Sequence, residues 1–130
     1  MGRVVPEEVE ERITAEPMVA HLATCRDGRP HAAPLWYRYE DDQIEIVTTG
    51  TKLRNVRANP RVMVSIERSG RGLPEWVVTL RGTATVVEDE ARSREANRRI
   101  NEKYGVRDGA WSDNVLVRID VASVDWRTYD

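Results

Sequence analysis

The stretch of this sequence richest in potential chemistry is Thr48-Thr49-Gly50-Thr51-Lys52-Leu53-Arg54-Asn55. An apolar, β-branched run ends in a glycine turn and passes into a helical pattern. The first backbone N–H groups of such a helix have no intrahelical acceptor, so they attract an anion. Thr48, Thr49 and Thr51 add hydroxyl donors, while Lys52 and Arg54 add positive charge. Each charge at a helix N-terminus is worth about 0.3–1 kcal/mol. These residue types in this order suit a phosphate. They equally suit a plainer arrangement, with Thr51 an ordinary N-cap and Lys52 a solvated lysine, and the residues alone leave both open.

Other candidates stand more alone. Arg81 sits mid-strand among threonines, either exposed or lining a cofactor groove or subunit interface. Trp36 follows Pro34, whose missing N–H breaks a strand ladder; the indole either packs in a core or shelves a ring-shaped ligand. His21 and His31 flank a hairpin without metal-ligand spacing, so no metal site is expected. The single cysteine, Cys25, excludes an internal disulfide and fits a reducing cytoplasm. No Gly-rich dinucleotide or phosphate loop and no Gly-x-Ser-x-Gly elbow occurs. No catalytic residue can be named on these grounds, and a cofactor would have to carry any reaction.

The elements that must position these residues follow from periodicity. Pro6 and the acids after it open a short helix with Val9 and Ile13 on one face, and Pro17 ends it. Val19–Thr24 reads as a buried strand, Asp27-Gly28 as a hairpin turn, and 30–39 as the partner strand, with a third strand over 43–49 completing a meander. A short helix closes at Pro60. Strands follow over 61–67 and 76–87, separated by a loop over 69–74, and Gly82 permits a bend or a close backbone approach. A charged helix over 88–104 carries a stripe of Ala96, Ile100 and Tyr104, and a last strand alternates through Val115, Val117, Ile119 and Val121. Six antiparallel strands with three helical covers close best as a small barrel.

The totals agree with this. A chain of 130 residues, 40% hydrophobic and 32% charged, is one globular domain over 1–130. A net charge of −2 offers no basic field for nucleic acid. No apolar run approaches the roughly 20 residues that span a bilayer, and the acidic N-terminus lacks the apolar segment of a signal peptide.

Taken in order, Leu22-Ala23-Thr24, Asp27-Gly28-Arg29-Pro30-His31 and Pro34-Leu35-Trp36-Tyr37 resemble the opening of the pyridoxamine-phosphate-oxidase-like split-barrel superfamily. Thr49-Gly50-Thr51-Lys52, Asn55 and Asn59-Pro60-Arg61-Val62 resemble its phosphate-binding turn and helix. Leu80-Arg81-Gly82-Thr83-Ala84 and Val124-Asp125-Trp126 resemble its later strands, so the likeness spans nearly the whole chain. It implies a mainly β protein with α covers, a six-stranded antiparallel split β-barrel of the FMN-binding type. It also implies a homodimer with two equivalent cofactor sites at the interface and a small-molecule substrate. The ring would rest on Pro34, Leu35 and Trp36. The phosphate would sit on Thr48, Thr49, Gly50, Thr51 and Lys52 with Asn55 nearby, and the second subunit's strand around Arg81 would close the pocket. The Lys-x-x-Asn-x-x-x-Asn-Pro-Arg run is most similar to the branch using coenzyme F420, with FMN the close second. The implied activity is hydride transfer between that cofactor and a small molecule, with solvent or His31 supplying a proton. The alternatives are an FMN-dependent oxidoreductase, a non-catalytic flavin or haem binder, and a barrel with no cofactor. The basic and aromatic C-terminal segment that holds substrate in true pyridoxamine phosphate oxidases has no counterpart here.

Overall fold

The structure is a computed structural model and describes residues 3–129. Its centre is one antiparallel sheet of seven strands: β1 (Ala20–Arg26), β2 (Arg29–Leu35), β3 (Arg38–Glu40), β4 (Gln43–Thr48), β5 (Arg61–Gly70), β6 (Leu73–Val86) and β7 (Val115–Thr128). The hydrogen-bonded order is β2-β1-β5-β6-β7-β4-β3. Three helices accompany it: α1 (Glu7–Thr14), α2 (Gly50–Ala58) and α3 (Glu90–Lys103).

The expected single strand over 30–39 is two strands, β2 and β3, and they occupy opposite edges of the sheet. The expected meander is therefore two separate hairpins, β1–β2 and β3–β4. Only Trp36 and Tyr37 join the two edges, and three peptide steps reach at most about 11 Å. The sheet must therefore curl until its edges nearly meet, which is a barrel split between β2 and β3. The physical reason for the break lies in the connector. Tyr37 N–H donates to Tyr104 Oη at 3.2 Å, and Lys103 Nζ donates to Tyr37 O at 2.7 Å. The backbone groups of Tyr37 thus find partners on α3 instead of in a ladder. Pro30 and Pro34 are tolerated because β2 is an edge strand, paired with β1 alone.

Two further expectations are corrected. The loop foreseen over 69–74 is mostly strand, since β5 and β6 continue to a tight turn at Arg71 and Gly72, both with positive φ. The last strand runs on to Thr128. Elsewhere the alternation holds: Val62, Val64 and Ile66 of β5 and Val78, Leu80 and Ala84 of β6 face the core. Gly82 is a point of close approach. A Cβ there would collide with Asp120 O, where the β6–β7 register slips by one residue. Val9 and Ile13 bury the inner face of α1 as their spacing requires. No helix among the described residues is long and apolar enough to cross a membrane.

Candidate functional site

A cleft of about 350 Å³ opens where the end of β2, the β4–α2 corner and α3 converge. One side is the corner itself. Thr48 ends β4 and is buried, its hydroxyl donating to Thr49 O at 3.3 Å. Thr49 occupies the N-cap position of α2, and its side chain makes no capping bond. Thr51, expected as a possible cap, instead lies inside the helix and accepts from Arg54 Nη2 at 3.1 Å. The first turn of α2 carries no acid. Its amide dipoles therefore face outward without a side-chain counter-charge. Lys52 lines the cleft beside them and makes no ion pair among the described residues. It is the sole titratable side chain in that lining.

The apolar side is Pro34, Leu35, Trp36, Ile100 and Trp111. Trp36 is not an open shelf. Tyr104 covers one of its faces, with ring centroids 4.6 Å apart and planes within 8°. Trp111 meets it at 88° with centroids 5.3 Å apart. The indole is therefore a held wall. Trp111 itself is 55% exposed and adopts φ +54°, a costly conformation for a bulky residue that is more often found at functional sites. Lys103 braces the same corner, its Nζ lying 3.9 Å from the centre of the Tyr37 ring. Burial, and secondarily the charge of Arg38, pushes its ammonium down to about 8. Tyr104 Oη also donates to Met18 O at 2.6 Å, fixing the stack from a third direction.

Of the residues singled out by sequence, Pro34, Leu35, Trp36, Thr48, Thr49 and Lys52 come together around this cleft. Gly50, with φ +71°, makes the turn between Thr49 and the helix. Thr51 is exposed just beyond it. Asn55 points elsewhere: it is buried, and its Nδ2 donates to Thr24 Oγ1 at 3.0 Å, so it ties α2 to β1. Arg81 is also absent from this cleft. It is exposed on β6, ion-paired with Asp125, at a second, more apolar groove of about 490 Å³ that includes Cys25, Met63 and Ala122. His31 sits on β2 outside the cleft, with Nδ1 buried and unpaired among the described residues. Sequence reasoning missed Asn97, Asn101, Trp111 and Asn114. The available signal was two asparagines, four apart, on the apolar stripe of a helix.

A curled seven-stranded sheet, open between its edge strands β2 and β3, with a helical corner at its mouth, defines a split-barrel protein. The sequence profile of the pyridoxamine 5'-phosphate oxidase family matches residues 5–126, and the chain belongs to that family. Solved structures share the fold. An FAD-binding protein from Mesorhizobium loti superimposes with a TM-score of 0.76 at 24% identity, covering 96% of each chain. An F420 reductase gives 0.72 at 24%, covering 88% of this chain and 94% of the other. The heme storage protein HutZ from Vibrio cholerae gives 0.76 at 18%, covering 98% and 95%. Among curated protein sequences, no relative matches the chain.

Proposed function

We propose that the cleft binds a phosphate-bearing flavin or deazaflavin, F420 or FMN, and that the protein is a homodimeric, cytoplasmic oxidoreductase acting on a small molecule. The observation carrying this reading is the convergence of Pro34, Leu35 and Trp36 with Thr48, Thr49 and Lys52 on one cleft. The residues present fit such a group. Lys52 and the uncapped first turn of α2 supply a cationic seat for a phosphate, and Pro34, Leu35, Ile100 and Trp111 supply an apolar slot for a flat ring. When bound, the cofactor supplies hydride transfer. The chain's own part is to hold the anion, orient the ring and exclude water with the Trp36–Tyr104–Trp111 cluster.

Likeness to an F420 reductase and an FAD-binding protein supports a nucleotide-type cofactor without choosing between the two chemistries. A binder without turnover is the second reading, favoured by a cleft whose lining holds no titratable side chain besides Lys52. Parallel titrations with F420 and FMN test the proposal. Saturable binding of one of them is expected, followed by acceptor-dependent reoxidation of the reduced form. Binding without any reoxidation across a broad acceptor panel selects the second reading, and failure to bind either overturns both.

A further inference from the structure

Trp111 stands at the cleft in a conformation that folding alone does not favour. Its φ of +54° lies in the left-handed region, where a bulky side chain is strained and Gly or Asn is at ease. Burial does not account for it, because more than half of the residue is exposed. Its ring contact among the described residues is the perpendicular meeting with Trp36, which at best offsets the strain. Yet the backbone just before it is held firmly. Ala110 is buried, and its carbonyl accepts from Asn97 Nδ2 at 2.8 Å and from Asn101 Nδ2 at 3.0 Å, which fills both lone pairs. Asn101 Nδ2 also reaches Arg107 O at 3.3 Å. Both asparagines are buried on α3, four residues apart on one face. Gly109, with φ +89°, and Trp111 flank the pinned residue, so Ala110 is turned inward and Trp111 outward. After the turn, Asn114 N–H donates to Trp111 O at 3.1 Å. Two buried amides and a strained residue thus fix one apolar side chain beside open space. That space is the cleft, which Trp111 lines together with Pro34, Leu35 and Lys52.

Resting on the cofactor reading of this cleft, we infer that Trp111 selects a flat aromatic ring in the ligand, and that Asn97 and Asn101 position it through Ala110. An indole is a large, stiff apolar plate, so a ring lying against it sheds water from both surfaces with little loss of side-chain freedom. A branched or saturated group of equal size does not match that plane. Lys52 meets the anion from α2 and Trp111 meets the ring from the loop after α3, so the two determinants can be tested apart.

The test is calorimetric titration with FMN, riboflavin and the 5-deaza analogue of each. Trp111→Gly should weaken every probe about tenfold, the worth of one stacked ring. The affinity ratio of phosphorylated to unphosphorylated probe should stay within about twofold, since Lys52 is untouched. The melting temperature should stay close to that of the wild type, because relief of the left-handed strain offsets the lost contact with Trp36. Trp111→Phe, which keeps a flat ring, should recover most of the affinity. Replacing Asn97 and Asn101 together by Ala should weaken all probes several-fold in the wild type and not at all in Trp111→Gly, because both act through one side chain. The single variants Asn97→Ala and Asn101→Ala serve if the double variant does not fold. Unchanged affinity in Trp111→Gly overturns the ring contact. A phosphate ratio that collapses in that variant, or a changed oligomeric state, makes the indole a structural or interface residue and overturns it too. Penalties that simply add across the cycle remove Asn97 and Asn101 as positioning residues. If the wild type binds no probe, the cofactor reading itself has failed and the ring selection falls with it.

Discussion

Lys52 is the residue on which the anion seat turns. It lines the cleft, no described carboxylate pairs with it, and the amides of the first α2 turn share its field. Replacing it should remove a charge-assisted hydrogen bond, worth about 1.5–3 kcal/mol. Lys52→Ala is therefore expected to weaken FMN or F420 binding roughly 10–100-fold, with the melting temperature almost unchanged. Riboflavin, which lacks the phosphate, should bind wild type and variant alike. A second lysine makes a pH prediction. Burial lowers the folded-state value of Lys103 to about 8 from the ordinary 10.5, so folding disfavours its charged form. Between those two values the unfolded chain holds more protons than the folded one. Stability should accordingly rise with pH through that window. Urea midpoints measured at pH 7.5 and pH 10 should differ less in Lys103→Met than in wild type, because the variant lacks this contribution.

At the scale of elements, the site depends on edges that are kept close without being paired. The connector between β2 and β3 takes its hydrogen bonds from Lys103 and Tyr104 at the end of α3. That helix in turn brings Asn97, Ile100 and Asn101 to the cleft. On the far side of the barrel, Gly82 lets β6 and β7 slip register around Ala122. A methyl group there meets a backbone oxygen, which cannot rotate away as a side chain can. Gly82→Ala is expected to destabilise the fold by about 1–3 kcal/mol, measured by chemical denaturation. An unchanged midpoint would mean that the bulge relaxes freely.

The whole molecule adds a question of assembly. Arg81 and its groove lie apart from the cleft within one chain. In the homodimer that the family resemblance implies, the second subunit's strand around Arg81 closes the pocket, so one chain alone would hold an incomplete one. Sedimentation velocity at micromolar concentration should give twice the chain's 14.9 kDa, and Arg81→Ala should lower cofactor affinity. A monomer that binds cofactor with full affinity would remove Arg81 from the site.

The sequence by itself determined the strand-rich, antiparallel character of the chain, because period-2 alternation in β5 and β6 admits one core face and Asp27-Gly28 demands a tight turn. It also marked the β4–α2 corner as a candidate anion seat, since a glycine turn, threonines and a lysine are local, while leaving an ordinary capped helix equally open. Only the tertiary structure decided which segments share the cleft. The split of the 30–39 strand onto two edges came from partners more than sixty residues away, on α3, that no local pattern records. Asn55 shows the same limit in reverse: the family resemblance put it near the phosphate, whereas here its amide makes a buried bond to Thr24. Spacing within a helix reports which residues share a face. What that face meets is a property of long-range packing, where a curled sheet chooses the neighbours.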